Sequence, residues 1–425
     1  MHGLVFDPRP ARLALAGAVS RVRPSRSLSA PGPLSLRELA EPVPPGPGWL
    51  TLRPLHAGVC GSDITQATLQ ADWDNPLSGL ISFPHVMGHE IVARVLGAGA
   101  GFEAGEVVVV NPWLGCLPRG LAPCPACTAG RLPLCRHTGE PIPGIEGSGI
   151  HTGNIRGLPG GMGTRMVAHA SQLHRLPAGL DPRAGVLADP LAVGLHAAEQ
   201  ALAGPDPDGA GPGRPADRTV AVLGAGTVGL AVTAGLRCLG VRSVTTSCAW
   251  PYQPALVGAL GARAVGARPA AVLSAVAGSE GARMVRPWRG LPWLIGGGGA
   301  DAVVDAVGSA ATLELALAIV RPGGTVVRVG VGRARRAQAT LAYFKEVSMV
   351  GSNGYRVQDL ERSLAMLASG EAPWPSWLTH RFPLREWRRA FRTAAEPQCH
   401  GAVKVSLDIA PGSPPAAGRP GEVAP

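Results

Sequence analysis

Two short glycine-flanked turns in the first quarter of the sequence carry side chains that bind transition metals. The first turn holds Cys60, and the second holds His89 and Glu90. Thiolate and imidazole are good zinc ligands, and a site with three protein ligands keeps a fourth position open for water or substrate. Zinc in such a site lowers the pKa of a bound alcohol and polarises a carbonyl. The two turns therefore predict part of a catalytic zinc site, which needs a further protein ligand.

A serine and an aspartate follow Cys60 closely and suit the same chemistry. Ser62 can take up the proton that an alcohol releases beside the metal. Asp63 can accept the ring N–H of His89 and so orient that ligand. A single cysteine or histidine is most often structural, but these groups together in two turns predict a catalytic centre.

Four cysteines lie in one short segment further along the chain: Cys116, Cys124, Cys127 and Cys135. Four thiolates form a closed tetrahedral zinc site, which stabilises a lobe that has little core of its own. The alternatives are two disulfides or buried thiols, and the low cysteine density of so long a chain argues against a secreted disulfide scaffold. The segment therefore predicts a structural zinc.

A glycine-rich turn between a predicted strand and a predicted apolar helix has the spacing of a dinucleotide-binding loop. Gly224 permits the tight turn, Gly226 allows a pyrophosphate to approach the backbone, and Gly229 allows the helix to pack closely on the strand. Thr227 and Val228 lie in the same turn, before a helix whose N-terminal N–H groups and dipole favour phosphate. The context of strand, turn and helix makes the motif informative, and we predict that it binds NAD or NADP.

The acidic residue that usually holds the ribose hydroxyls of NAD is missing after the second strand. No aspartate or glutamate occurs between Gly224 and Ser279. Ser247, Tyr252 or Arg242 could contact a 2′-phosphate there instead. The sequence therefore favours NADP over NAD.

The elements that must position these groups form two patterns. Short apolar strands and glycine-rich turns dominate up to about residue 180, and a helix is predicted over residues 187–203. After a proline- and glycine-rich loop at 204–213, strands alternate with helices from Thr219 onward, which predicts a doubly wound parallel sheet. The pattern of residues 266–299 is irregular and leaves them unassigned.

Composition restricts the classes of partner. The net charge of +10 comes almost wholly from scattered arginines, and no basic run with interleaved aromatic residues predicts nucleic-acid binding. No apolar run approaches the ~20 residues needed to span a bilayer. Residues 9–26 lack a convincing signal-peptide core and cleavage site, so we expect a cytoplasmic protein, with a transit peptide as the alternative.

Taken together, the motifs resemble those of the zinc-dependent medium-chain alcohol dehydrogenases of the polyol or threonine dehydrogenase type. They occur in the family's order over roughly residues 40–405, and they are Gly58–Asp63, Gly88–Glu90, the four cysteines, Asp189–Val193 and Gly224–Gly229. The resemblance implies an α/β protein with a GroES-like catalytic domain and a Rossmann domain. It also implies a small-molecule alcohol or ketone substrate, two zinc ions per chain, and a homodimer or homotetramer.

The resemblance also implies a division of the chain. The GroES-like catalytic domain with its zinc lobe is expected at residues 1–190, and the Rossmann domain at 191–335. The chain is expected to return to the catalytic domain at 336–410, and a proline- and glycine-rich tail at 411–425 is expected to be disordered.

Some positions depart from the family's pattern. The third protein ligand of the catalytic zinc is often the glutamate of a Glu-Pro pair, where this chain has Asp189, so Asp189 or Glu90 is the expected ligand. Many relatives carry a histidine at the outer end of the proton path, and Thr65 or water is expected to serve here. The first lobe cysteine usually lies close before the second, whereas Cys116 lies further upstream.

The expected function is hydride transfer between a secondary alcohol or polyol and NAD(P), with zinc at Cys60 and His89. One alternative is a reductase of the same fold that works without catalytic zinc, which the intact Cys60 and His89 disfavour. The other is a non-catalytic dinucleotide sensor, which the missing acidic residue and Asp189 favour slightly.

Overall fold

The computed structural model describes residues 1–14, 28, 32–70, 76–204, 214–277, 282–296, 298–332 and 339–409. Apart from Gly204, the predicted loop at 204–213 lies outside the described residues. The same holds for the predicted tail and for most of the segment considered as a transit peptide. Among the described residues, no helix is long and apolar enough to cross a membrane.

The described strands and helices are as follows. The strands are β1 (His2–Phe6), β2 (Leu34–Glu38), β3 (Trp49–Val59), β4 (His85–Val86), β5 (Glu90–Val95), β6 (Val107–Val110), β7 (Met166–His169), β8 (Leu173–Arg175), β9 (Thr219–Leu223), β10 (Ser243–Cys248), β11 (Arg263–Gly266), β12 (Ala282–Val285), β13 (Trp293–Gly296), β14 (Ala300–Asp305), β15 (Val320–Arg328), β16 (Ser348–Gly351), β17 (Leu378–Pro383) and β18 (Lys404–Asp408). The helices are α1 (Gly61–Ala67), α2 (Pro125–Thr128), α3 (Ala188–Leu202), α4 (Thr227–Cys238), α5 (Gln253–Ala259), α6 (Pro269–Val276), α7 (Ala310–Ile319), α8 (Thr340–Phe344), α9 (Val357–Ser369), α10 (Trp374–Trp377), α11 (Trp387–Ala395) and α12 (Pro397–His400).

The chain divides into two compact units. The first comprises Met1–Cys124, Cys135–Val186 and the residues from Leu378 onward, and the second comprises Pro125–Leu134 and Leu187–Trp377. The second unit therefore extends beyond residue 335, where the sequence places the end of the Rossmann domain. The reason is that β16 adds a further parallel strand to the sheet of this unit.

The first unit is built around a seven-stranded sheet in which most pairs are antiparallel. Six strands follow the order β17-β18-β3-β5-β6-β8, and β7 also pairs with β3. Gly58 near the end of β3 lies opposite Glu90 at the start of β5. Because the two strands run in opposite directions, the end of β3 that leads to Cys60 lies beside the start of β5 that follows His89.

The second unit contains a six-stranded parallel sheet in the order β11-β10-β9-β14-β15-β16. The order reverses between β9 and β14, and such a reversal leaves a crevice at the carboxyl ends of the strands where nucleotides bind. Alternate residues of β9 face different apolar clusters. Val222 packs with Val232 of α4, whereas Ala221 packs with Leu273 of α6. Both faces of the sheet are thus covered by helices, which confirms the predicted doubly wound fold.

The segment that the sequence leaves unassigned, residues 266–299, contains regular structure. Its first part forms α6, and β12 and β13 then pair as an antiparallel hairpin. Val272 and Leu273 of α6 and Leu294 of β13 are buried in the core of the second unit. The hairpin strands are only four residues long, too short for a recognisable alternation of apolar and polar residues.

Candidate metal and cofactor sites

The two metal-binding turns converge where β3 ends and β5 begins. The side-chain ligand atoms of Cys60, His89 and Glu90 all lie within 4.8 Å of one another. A tetrahedral zinc with bonds of about 2.0–2.3 Å needs ligand atoms roughly 3.3–3.8 Å apart, so small side-chain adjustments close the group around a metal. The donor set of thiolate, imidazole and carboxylate fits zinc.

Asp63 connects the two turns. It lies in the first turn of α1, where its Oδ2 accepts the backbone N–H of Cys60 at 2.9 Å. Its Oδ1 lies 3.7 Å from Nδ1 of His89. This places the carboxylate beside Nδ1 and leaves Nε2 of His89 as the atom for a metal.

The two predicted proton-path residues differ in their surroundings. Ser62 is exposed on the first turn of α1. Thr65 donates its hydroxyl hydrogen to the carbonyl of Gly61 at 2.9 Å, so that hydrogen already bonds to the helix backbone. Of the two, Ser62 has the more accessible hydroxyl.

Glu90 is a buried carboxylate whose charge is compensated by Lys404. Only 1% of Glu90 and 2% of Lys404 is exposed, and the ammonium of Lys404 pairs with the carboxylate. Lys404 also donates to the carbonyl of Val59 at 3.3 Å. Gly58 is required here, because a Cβ at that position would lie 1.9 Å from Oε2 of Glu90. Sequence reasoning missed Lys404, although the chain has only one other lysine, Lys345.

Asp189 belongs to the second unit, in the first turn of α3. It is buried, and its Oδ1 accepts the hydroxyl of Tyr355 at 2.6 Å. Tyr355 is itself buried and was not singled out from the sequence. The group assembled within the first unit is thus Cys60, His89 and Glu90.

The four lobe cysteines also come together. Their sulfurs all lie within 4.8 Å of one another. Sγ of Cys116 is 3.6 Å from Sγ of Cys135 and accepts the backbone N–H of Cys124 at 3.3 Å. The 3.6 Å separation is too long for a disulfide, whose sulfurs are about 2.0 Å apart. It is close to the roughly 3.8 Å between two sulfurs on one tetrahedral zinc, so the cluster fits zinc with Cys116 included.

The glycine-rich loop has the geometry that the motif predicts. Gly224 has a φ of +98°, which favours glycine, and Gly226 caps the start of α4. A Cβ on Gly229 would lie 1.8 Å from the carbonyl oxygen of Gly224, whereas one on Gly226 would meet nothing within 4 Å. Gly229 thus brings α4 close to the loop, and Gly226 leaves open space in front of the helix N-terminus.

Two of the residues considered for a 2′-phosphate have other partners. Oγ of the buried Ser247 accepts the backbone N–H of Gly224 at 2.9 Å, so this hydroxyl supports the loop. Arg242 bonds to Asp217 at 2.9 Å, at the amino end of β10. The proposal that Arg242 contacts the 2′-phosphate is wrong, because the loop lies at the carboxyl end of the parallel neighbour β9.

Two family models match the chain. The alcohol dehydrogenase GroES-like domain matches residues 46–178, and the zinc-binding dehydrogenase domain matches residues 227–369. The chain belongs to the zinc-dependent medium-chain dehydrogenases. This membership confirms the predicted fold class and the predicted NAD(P)-dependent, alcohol dehydrogenase-like enzyme.

Relatives of this dehydrogenase cover most of its length. L-galactonate-5-dehydrogenase of Escherichia coli (strain K12) is 27% identical over 344 residues, or 80% of this chain and 86% of the relative. 2-dehydro-3-deoxy-L-galactonate 5-dehydrogenase of Pseudoalteromonas atlantica is 25% identical over 355 residues, or 82% of this chain and 89% of the relative. A crystal structure described as a zinc-binding dehydrogenase from Sinorhizobium meliloti 1021, bound to NADP, aligns with a TM-score of 0.68 and 25% identity over 90% of this chain and 98% of that one.

The dehydrogenase has a second histidine beside its proposed metal ligand, which sequence reasoning missed. The ring of His151 lies 5.1 Å from that of His89 and packs edge-on against Trp113. Its Nδ1 is 2.9 Å from the carbonyl oxygen of Thr152, which can only accept, so Nδ1 carries the hydrogen. Burial, and then the neighbouring His89, lower the pKa of His151 to about 3. The ring is therefore neutral near pH 7, with an acceptor at Nε2.

Proposed function

We propose that the chain oxidises a secondary alcohol or polyol to the ketone, and catalyses the reverse reduction, with zinc and NADP or NAD. The observation that carries this proposal is the convergence of Cys60, His89 and Glu90 where β3 ends and β5 begins. The relatives that act on L-galactonate and 2-dehydro-3-deoxy-L-galactonate, both polyhydroxylated acids by name, support a substrate rich in hydroxyl groups.

Two zinc ions per chain are proposed. Cys60, His89 and Glu90 hold the catalytic ion, with Asp189 as the alternative to Glu90, and the four lobe cysteines hold the structural ion. When bound, the catalytic zinc supplies a Lewis acid that lowers the pKa of the alcohol and polarises the ketone. Lys404 compensates the charge of Glu90 and fixes the position of its carboxylate.

The chain's own residues manage the proton and the substrate. Ser62 accepts the proton from the substrate hydroxyl and passes it outward, which its exposed position allows. Asp63 contacts both the Cys60 turn and the His89 ring and so fixes their relative position. The ring of His151 packs 5.1 Å from that of His89 and supports the position of this ligand.

NADP is the proposed preference over NAD. No carboxylate follows β10 to repel a 2′-phosphate. Ala267 donates its N–H to the carbonyl of Cys248 at 2.9 Å, so the ends of β10 and β11 lie side by side. Arg268 follows directly and brings a guanidinium to this edge, where arginine suits phosphate.

The proposed function is tested by metal analysis combined with an alcohol panel. We expect two zinc ions per chain, turnover of polyols or their acids, and kcat/KM at least about tenfold higher with NADP than with NAD, equivalent to about 1.4 kcal/mol. One zinc per chain with no turnover of any alcohol supports the dinucleotide sensor. Turnover that survives Cys60→Ala supports the zinc-independent reductase, and a strong NAD preference contradicts the cofactor assignment.

A cytoplasmic location is proposed, because a reducing compartment keeps the lobe thiolates available.

A homodimer or homotetramer is proposed as the assembly. β16 is the outermost strand of the second unit's sheet among the described residues, and an open edge invites pairing with another copy. Apolar side chains at or near this edge are exposed: Tyr343 (87%), Phe344 (56%) and Met349 (47%).

The assembly is tested by the mass in solution from light scattering. We expect two or four chains per particle, and a shift to smaller particles in Met349→Lys, because a lysine on an edge strand opposes pairing. Leu96→Lys, at a comparably exposed apolar residue in the first unit (39%), is the matched control and leaves the mass unchanged. A monomeric wild-type chain contradicts the proposal.

A further inference from the structure

The connection between the first two lobe cysteines is long and folds back on Cys116. Cys116 caps a short 3-10 turn, Leu117–Arg119, and Gly120 follows with a left-handed φ of +69°. The backbone N–H groups of Arg119 and Leu121 both donate to the carbonyl of Cys116, at 2.9 and 3.1 Å. This fold returns the chain to Cys124, whose N–H bonds to Sγ of Cys116. The turn therefore accommodates the extra residues without moving Cys116 away from the other sulfurs.

The side chain of Arg119 ties together the segments on either side of the cluster. It is 4% exposed, and its guanidinium donates to four backbone carbonyls: Leu114 (2.5 Å), Gly115 (2.8 Å), Glu140 (3.2 Å) and Gly149 (3.4 Å). Leu114 and Gly115 lead into Cys116, and Glu140 follows Cys135. The guanidinium thus fixes the backbone just before Cys116 relative to the backbone that follows Cys135.

Charge gives the same residue a second role. Burying a guanidinium costs free energy unless hydrogen bonds and opposite charge offset it. Zinc with four thiolates is a dianion, and its first ligand, Cys116, lies one short turn before Arg119. A cation at this position lowers the free energy of the loaded cluster, and arginine supplies it with a rigid donor fork that lysine lacks.

We propose that Arg119 is a positioning residue of the four-cysteine site. It holds Cys116 and Cys135 at ligand spacing and supplies a countercharge to the zinc–thiolate group. The inference rests on the proposed structural zinc. It explains how this chain keeps a four-cysteine site although seven residues separate Cys116 from Cys124.

The test follows zinc release from the full-length chain carrying Cys60→Ala, so that only the structural ion remains. A chromogenic chelator reports the rate of release, and free thiols are titrated in parallel. Arg119→Met is expected to release zinc at least about tenfold faster and to expose the four thiols to modification. Arg119→Lys keeps the positive charge but not the planar donor group. It is expected to release zinc at a rate between those of the parent and of Arg119→Met. It also provides a measurement if the methionine variant does not fold.

Arg381→Met is the matched control. Arg381 is an arginine of the same unit whose side chain is 8% exposed, and it pairs with Asp408 at 2.9 Å, away from the lobe. This variant is expected to release zinc at the parental rate. Parental release rates in both Arg119 variants, or equal acceleration in Arg381→Met, overturn the positioning role. A Cys60→Ala parent that holds no zinc instead overturns the structural zinc itself, so the two failures are distinguishable.

Discussion

Replacing Cys60 with alanine is expected to remove one of two zinc ions and to lower kcat/KM for alcohol oxidation by about 10³-fold or more. The Lewis acid contributes several kcal/mol of transition-state stabilisation, and each 1.4 kcal/mol corresponds to about tenfold in rate. Cys60 supplies the thiolate of the group formed with His89 and Glu90. Metal content by emission spectroscopy and steady-state kinetics on the same preparation measure both effects.

The control for this experiment is Cys399→Ala. Cys399 is an exposed thiol in α12 of the first unit and lies outside both cysteine-containing clusters. We expect this variant to retain two zinc ions and full activity. A Cys60→Ala variant that keeps both ions and its turnover would contradict the assignment of the catalytic site.

The second large effect is expected from alanine substitutions of Gly226 and Gly229 in the dinucleotide loop. Gly226→Ala is expected to lower the free energy of unfolding by at most about 1 kcal/mol, because the new Cβ meets nothing within 4 Å and only the weaker N-cap preference of alanine counts against it. It is nevertheless expected to weaken NADPH binding about tenfold or more, since the methyl group occupies the space proposed for the pyrophosphate. Fluorescence titration with NADPH and thermal unfolding without cofactor separate the two quantities.

Gly229→Ala is the contrasting variant. Its Cβ would lie 1.8 Å from the carbonyl oxygen of Gly224, so α4 must move away from the loop. Overpacking of this kind costs roughly 1–3 kcal/mol of stability, and we expect both unfolding and NADPH binding to be affected. Equal NADPH affinity in Gly226→Ala and the wild-type chain would show that the pyrophosphate does not pass over this loop.

The dinucleotide fold could be predicted from the sequence because its signals are local. The strand at Thr219–Leu223, the glycine turn and the following helix are contiguous, and their residue types follow from the turn geometry they must adopt. The convergence of Cys60 and His89 was also predicted, first from the ligand chemistry of the two turns and then from the resemblance. Its physical cause is the strand register that places Gly58 of β3 opposite Glu90 of β5, and no local sequence pattern shows that register.

The remaining parts of the site depend on contacts between residues far apart in sequence. Lys404 pairs with Glu90 across 314 positions, and Tyr355 bonds to Asp189 across 166. No local pattern predicts either contact. Arg242, one of three residues considered for a 2′-phosphate, lies at the amino end of β10, whereas the dinucleotide loop lies at the carboxyl end of its neighbour β9.

The pairing of β18 with β3 has a consequence for synthesis of the chain. β18 (Lys404–Asp408) lies between β17 and β3, inside the first unit's sheet. Chains emerge from the ribosome N-terminus first, and domains generally fold as units. The turns that carry Cys60 and His89 are therefore made early, but they lack a neighbouring strand and the partner of Glu90 until β18 has been synthesised. Throughout that interval the second unit can fold, whereas the turns that carry Cys60 and His89 wait for β18.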